Sequence, residues 1–575
     1  MVKLSSYLRP YWKAALAAPL FMLIEVMADL IGPQFYARII DQGLSSGDMV
    51  YGIRVGVLWF ACILVGVIGG IACTYFSSMA SIGFGTDLRR DLFAKVQQFS
   101  FTNLNEFTTA SLITRLTNDV TQVQHIVMML LRQLVRSPLL SIGGLVMAIS
   151  LNANLSLVLL FALPLLLIVL MGIMSKAFPL FTKVQTRLDG VNGVMQENLT
   201  GVRVIKAFVR ADYEIRKFAK ANDALRDIGM KAGRLIGFMR PTMLIIMNGT
   251  VIAVLWFGGR YVNSGTMQVG QVMAFITYIT QILHALMMVA MFLMNISRAK
   301  ASADRIKEVL NTEVDIETKP GASVEPVREG RLTFENVSFR YKGAGGPPVL
   351  KNISFTVEPG ETIAILGSTG VGKTTLVSLI PRFYDVTEGR ITLDGRDIRD
   401  MDLKELRSSI GMVLQQSILF TGTIRENLAW GDPEADDEEI IAATTAAQAH
   451  QFISSFPDGY DTMVGQRGVN LSGGQKQRLA IARALLRKPK VLIMDDSTSA
   501  IDLGTEARLQ AALRKLMQET TTFVIAQRIS SVMDADRIIV LEDGQIVGMG
   551  KHAELMETCP VYQDIYRSQL GKEAV

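Results

Sequence analysis

Six apolar runs, near residues 14–35, 55–76, 135–152, 155–175, 240–262 and 270–294, constrain this chain more than any other feature. About 20 apolar residues in an α-helix, rising about 1.5 Å each, cross the ~30 Å hydrocarbon core of a bilayer. Hydrocarbon offers no partner to backbone N–H and C=O groups, so such runs are expected to be transmembrane helices. All of them lie before about residue 300, whereas charge and glycine motifs crowd the remainder. The chain is 49% hydrophobic and only 19% charged over 575 residues, which excludes a single ordinary soluble core. We therefore expect an all-α polytopic transmembrane domain over 1–310, a linker over 311–330 and a domain of different character over 331–575.

An even number of spans puts both termini on one side of the membrane. Stretches of about 60 polar, helix-patterned residues separate the second span from the third and the fourth from the fifth. They carry Arg89, Arg90, Lys95 and Arg115, then Lys176, Lys183, Arg187, Arg203, Lys206, Arg210, Arg216 and Lys217. By the positive-inside rule these stretches, the N-terminus and the C-terminal domain are expected in the cytoplasm, in a multi-pass protein of the cell membrane and its lipid bilayer. Few Gly or Pro residues interrupt them, so the membrane helices are expected to run on into water. The first run carries Glu25 and Asp29 and lacks a small-residue cleavage site, which argues against a removed signal peptide. Cys62, Cys73 and Cys559 have neither disulfide-framework nor metal-ligand spacing and read as packing residues. Net charge is +5, with the basic residues beside spans rather than in one block, so nucleic acid is not an expected partner. The prolines and scattered acids of 312–329 read as linker. Beyond Arg331, short β-rich runs alternate with helical patterns, which predicts an α/β domain.

Within that domain, Thr362-Ile-Ala-Ile-Leu runs into Gly367-Ser368-Thr369-Gly370-Val371-Gly372-Lys373-Thr374-Thr375 and then an apolar helix. This is a strand followed by a P-loop. The loop's N–H groups and the helix N-terminus can cradle the phosphates of ATP, Lys373 can neutralise the β and γ groups, and the Thr374 hydroxyl can ligate Mg2+. A second apolar strand, Val491-Leu-Ile-Met-Asp495, ends in the carboxylate that a Mg2+ site beside the P-loop requires.

P-loops serve many families, and a third stretch decides among them: Leu471-Ser472-Gly473-Gly474-Gln475, lying between the P-loop and the Asp495 strand. It matches the LSGGQ signature of ATP-binding cassette proteins. With six spans ahead of the cassette, the whole chain resembles a half-transporter of the ABC exporter family. Ser472 and the glycine N–H groups at a helix N-terminus form a second anion site, for a γ-phosphate held by a partner chain. The resemblance further implies that Tyr341 stacks on adenine, that Gln415 is the Q-loop glutamine beside Mg2+, and that Asp502 is the D-loop aspartate. It also implies coupling helices around Leu112-Ile-Thr-Arg115-Leu-Thr-Asn118-Asp119 and Glu197–Phe208, which press on the cassettes.

Two positions depart from the family pattern. After the strand-ending aspartate the family has a glutamate that positions and deprotonates the attacking water; here Asp496 stands one methylene short. The family's switch histidine is replaced by Gln527, which can donate a hydrogen bond but carries no charge. With an intact P-loop and LSGGQ, the pair resembles the degenerate half of a heterodimeric exporter. The expected partner is a second ABC half-transporter, and the expected cargo an amphiphilic, drug-like small molecule moved by alternating access; a lipid flippase, an importer or an ATP-gated path are the rival readings. In the spans, Glu25 and Asp29 stand one helical turn apart, attracting cationic cargo, facing water or pairing with a base such as Arg38. Met243, Met247, Met273, Met287, Met288, Met291 and Met294 suit either an adaptable cargo wall or core filling.

Overall fold

A computed structural model of the chain describes residues 4–343, 345–526 and 528–570, without the side chains of 290, 291, 293–295, 297, 298, 503, 530 and 570. The chain forms two compact units, Met1–Gln97 with Ala110–Asn311, and Gln98–Thr109 with Thr312–Val575.

In the first unit the six apolar runs sit on the helices Leu4–Leu44, Met49–Gln98, Thr109–Leu151, Ala153–Thr200, Ala211–Asn263 and the one that opens at Val269. The 50 residues of Met49–Gln98 measure about 75 Å, more than twice the ~30 Å of hydrocarbon, so this helix does continue beyond the membrane. The third and fourth helices part at Asn152, whose backbone is extended and whose side chain accepts the Leu155 N–H at 2.9 Å, capping the new helix. The core follows the four-residue spacing of the first span: Ala18, Met22, Val26 and Leu30 are buried, and the Tyr278 hydroxyl donates to the Leu30 carbonyl at 2.6 Å. Cys73 is buried as well, consistent with a packing residue. By contrast Ile63, Leu64, Ile68 and Ile71 of the second span are exposed, an apolar surface that only lipid or another protein can cover.

The second unit is α/β. A six-stranded sheet runs in the order Gln545–Gly550, Arg537–Glu542, Thr362–Gly367, Thr521–Ile525, Val491–Asp495, Ile410–Val413. All neighbours are parallel except the first pair. Its central stretches Ile363–Leu366 and Val491–Met494 are apolar and buried throughout, as strands covered on both faces are. A four-stranded antiparallel sheet, Leu350–Val357, Leu332–Phe339, Glu388–Leu393, Arg396–Asp397, lies against the same core.

The stretch 312–329 has little regular structure, yet it is fastened. The Asp394 carboxylate accepts the N–H groups of Arg328, Glu329, Gly330 and Arg331 at 2.8–3.1 Å. Ser323 bonds to the Asp400 carbonyl at 2.8 Å. A short helix, Phe101–Glu106, belongs to this unit too: Ser100 and Asn103 close a capping box, Asn103 donates to the Glu313 carbonyl at 3.0 Å, and Phe101 sits 4.6 Å from Phe383.

Candidate functional site

The strands Thr362–Gly367 and Val491–Asp495 flank Thr521–Ile525 and end on the same edge of the sheet, the carboxyl edge where open α/β sheets bind ligands. A cleft of about 640 Å³ opens there. Gly367, Gly370 and Gly372 adopt φ of 149°, 86° and 104°. A Cβ on Gly367 would also lie 2.4 Å from the Leu541 carbonyl oxygen, so only glycine fits. Every residue of the Gly367–Thr375 run lines the cleft except Val371, which turns into the core. Val371 can therefore offer a ligand its backbone but not its side chain.

Lys373 Nζ donates to the carbonyls of Gly367 and Ser368 at 2.7 and 2.9 Å. Burial pushes its pKa down, against the opposing pull of Asp495 and Asp496. The Thr374 hydroxyl donates to Asp495 at 3.2 Å. Asp495 is 2% exposed, and burial holds its carboxyl above the usual range although Thr374 works the other way. These two hard oxygen donors, side by side, are a donor set that suits Mg2+ sharing its shell with phosphate and water. Asp496 follows with φ 47°, the left-handed region, and accepts from Gln415 Nε2 at 3.2 Å. Tyr341 lines the cleft and shares a 2.9 Å hydrogen bond with the Thr375 hydroxyl. Gln527 lies outside the described residues.

Sequence reasoning missed one wall. Val561, Ile565 and Gln569, at four-residue spacing on the helix Pro560–Leu570, also line the cleft. That spacing was the only signal, and most surface helices carry it.

The LSGGQ residues do not line this cleft. Ser472 caps the 14-residue helix Gly473–Leu486, and Gln475 returns the bond to the Ser472 N–H at 2.8 Å. Leu471 is buried while Ser472 and Gly473 are exposed, so the helix N-terminus presents a second, separate surface. Asp502 caps the helix Leu503–Leu516, and the Thr505 N–H it accepts keeps its carboxyl below the usual range.

Between the spans, Glu25 and Asp29 do not pair with Arg38. They share Arg136 of the third span, at 2.5 and 2.9 Å. A partner on a neighbouring helix, invisible to local spacing, satisfies both carboxylates at once. The methionines divide: Met243 is buried in the helical core, Met273 and Met288 are exposed, and the side chains of Met291 and Met294 lie outside the description. In the first loop motif, Arg115 pairs with Glu308 at 2.8 Å and Asp119 accepts from Arg305 Nε at 2.7 Å, both within the helical unit. The short helix seated on the α/β unit is instead Phe101–Glu106, ahead of that motif, while Val202–Ala207 falls inside the second motif.

Comparison with known proteins agrees over the whole length. Residues 16–286 match the family described as ABC transporter transmembrane region, and 350–499 the family described as ABC transporter. An uncharacterized ABC transporter ATP-binding protein of Bacillus subtilis, YfiB, is 44% identical, covering 100% of this chain and 99% of its own. An ATP-dependent lipid A-core flippase of Desulfotalea psychrophila is 37% identical over 97% of both chains. A fatty acid ABC transporter ATP-binding/permease protein of Mycobacterium tuberculosis is 39% identical, over 84% of this chain and 76% of the relative. Among solved structures, a bacterial Atm1-family ABC exporter with ATP bound superposes with a TM-score of 0.82 at 26% identity, covering 98% and 99% of the two chains. The chain belongs to the ABC transporter family: it is an exporter-type half-transporter, a multi-pass membrane protein with its transmembrane region fused to an ATP-binding domain.

Proposed function

We propose that this chain is the ATP-retaining half of a heterodimeric exporter of amphiphilic molecules, with the 331–575 cassette and the N-terminus in the cytoplasm. The observation that carries the reading is Asp496. In the sequence it follows the strand-ending aspartate, where the resemblance implies a glutamate; its carboxylate is one methylene shorter, lines the cleft and is engaged by Gln415. A displacement of about 1 Å at a reacting centre costs on the order of 100-fold in rate.

In this reading the P-loop N–H groups and Lys373 hold the phosphates, and Tyr341 stacks on the base. Bound Mg2+ would neutralise phosphate charge, held by Thr374, Asp495 and Gln415. Asp496 and Gln527 would orient the attacking water poorly, so ATP stays. Ser472 and the Gly473 and Gly474 N–H groups close instead over the γ-phosphate of the partner's ATP, completing the site that turns over. Nucleotide binding draws the cassettes together, the short helices Phe101–Glu106 and Val202–Ala207 carry that motion to the spans, and hydrolysis at the partner's acid resets them. The named substrates of two relatives, lipid A-core and fatty acids, favour cargo with long apolar chains.

Trapping labelled ATP in the purified complex and chasing with unlabelled ATP tests the scheme. Label should remain on this chain's P-loop through several turnovers of the other. Equal release from both P-loops would show Asp496 to be an adequate base.

A further inference from the structure

Gln477 stands five residues past the signature serine, on the helix Gly473–Leu486, and is 5% exposed. A buried amide is costly unless both of its ends are bonded. Here both are. Its Oε1 accepts the Ala500 N–H at 3.0 Å, and its Nε2 donates to Ser499 Oγ at 3.3 Å. The Ser499 hydroxyl passes the bond on to the Asp496 carbonyl at 3.1 Å. Packing supports the same link: a Cβ on Gly474 would lie 2.8 Å from the Ala500 carbonyl oxygen, so this signature glycine is needed for contact rather than for its own backbone angles. On the other side of the loop, Glu506, also 5% exposed, accepts from Thr498 at 2.8 Å and from Ser531 at 2.7 Å. The loop 496–500 is thus bonded to the signature helix on one side and, through Glu506, to the segment that flanks position 527 on the other.

We propose that Gln477 is a positioning residue that holds the LSGGQ turn and the Asp496 loop as one body, so that a shift imposed on the signature surface by a partner's nucleotide reaches this chain's own nucleotide site. The inference rests on the composite-site reading above. Neither surface can then change alone, because the helix that opens at the LSGGQ turn carries the amide, and both ends of that amide bond the Asp496 loop.

The test uses the purified complex of this chain with its partner and reads steady-state kcat and KM for ATP together with the release rate of labelled ATP from this chain's P-loop. Gln477→Ala should lower kcat roughly tenfold with KM changed less than about twofold, and should speed release of the label at least about threefold, although no residue of the cleft has been altered. Gln477→Glu keeps the acceptor for the Ala500 N–H but draws the Ser499 proton away from the Asp496 carbonyl; it should recover kcat and leave release fast. Adding Ser499→Ala to Gln477→Ala should change nothing more, since both belong to one chain of bonds. Unchanged release in Gln477→Ala overturns the proposal, whether or not kcat falls, and so do losses that add in the double variant. Should Gln477→Ala fail to fold, Gln477→Glu and Ser499→Ala carry the same release measurement. Ser472→Arg separates the two ideas: full turnover in that variant removes the composite-site reading, while fast release in Gln477→Ala still upholds the tie to Asp496.

Discussion

At Asp496 a single methylene and a single backbone angle meet. Its φ of 47° lies where L-residues are uncommon and where Asp, whose short side chain bonds locally, is better tolerated than longer residues. Replacing it by Glu therefore costs a little backbone strain and returns the missing reach. We expect Asp496→Glu together with Gln527→His to add hydrolysis on this chain's P-loop, about 10- to 100-fold over its basal rate. Single-turnover loss of trapped ATP is the measurement, and an unchanged rate would move the cause to the partner's signature. That Asp495, Asp496 and the P-loop run meet in one cleft was legible in the sequence, because each lies within a few residues of the end of its own strand. Val371 was legible as a loop member but not as a core residue, since only the fold tells which side chain of a cradle turns inward. Gln477 was not legible at all: its partners lie 22 and 23 positions away, and no spacing rule joins them.

Fastening at the scale of elements falls to side chains whose partners are backbone or a neighbouring helix. Burial raises the Asp394 carboxyl pKa, but the four N–H groups it accepts outweigh that and hold it below the ordinary value. A depressed folded pKa stabilises fully above the unfolded value of about 3.9 and is lost as pH falls through the folded one. The unfolding temperature of the cassette should accordingly be flat from about pH 7 to 5 and drop below about pH 4. Asp394→Asn should start roughly 1–3 kcal/mol lower and show less of that acid drop; equal slopes in thermal scans of the two would assign the acid lability elsewhere. In the membrane, Arg136→Met should leave two carboxylates one turn apart without their cation. Fully buried pairs lose about 3–5 kcal/mol on such a change; with Asp29 and Arg136 partly exposed, roughly 2 kcal/mol is expected here. Glu25→Gln plus Asp29→Asn in the same chain should recover most of it, and a triple variant as unstable as Arg136→Met would show the guanidinium to act by packing instead. The spans themselves were legible because about 20 apolar residues admit few folds. The cation that closes the pair and the seat of Phe101–Glu106 were not, because both depend on contacts made across the fold.

As a whole molecule, the chain leaves the cleft and the signature turn apart: the cleft holds the P-loop and Asp496, the signature turn is exposed elsewhere, and apolar faces such as that of the second span lack cover from the rest of the described residues. Two copies of this chain could complete each other's sites in geometry, yet each site would hold the same short acid, so assembly alone does not distinguish a homodimer from a heterodimer. Turnover does. Reconstituted alone in lipid, the chain should bind ATP and hydrolyse it on the order of 100-fold more slowly than the same amount of it paired with a partner bearing glutamate and histidine at the corresponding positions. Changing that partner glutamate to glutamine should bring the pair down to the level of the single chain, whereas Asp496→Asn should change the pair's rate by less than about threefold. Phosphate release per mole of ATP-binding domain, measured on the four preparations side by side, decides the matter. If the chain alone matches the pair, both of its sites are competent, the assembly is a homodimer, and Asp496 with Gln527 suffices to place the attacking water.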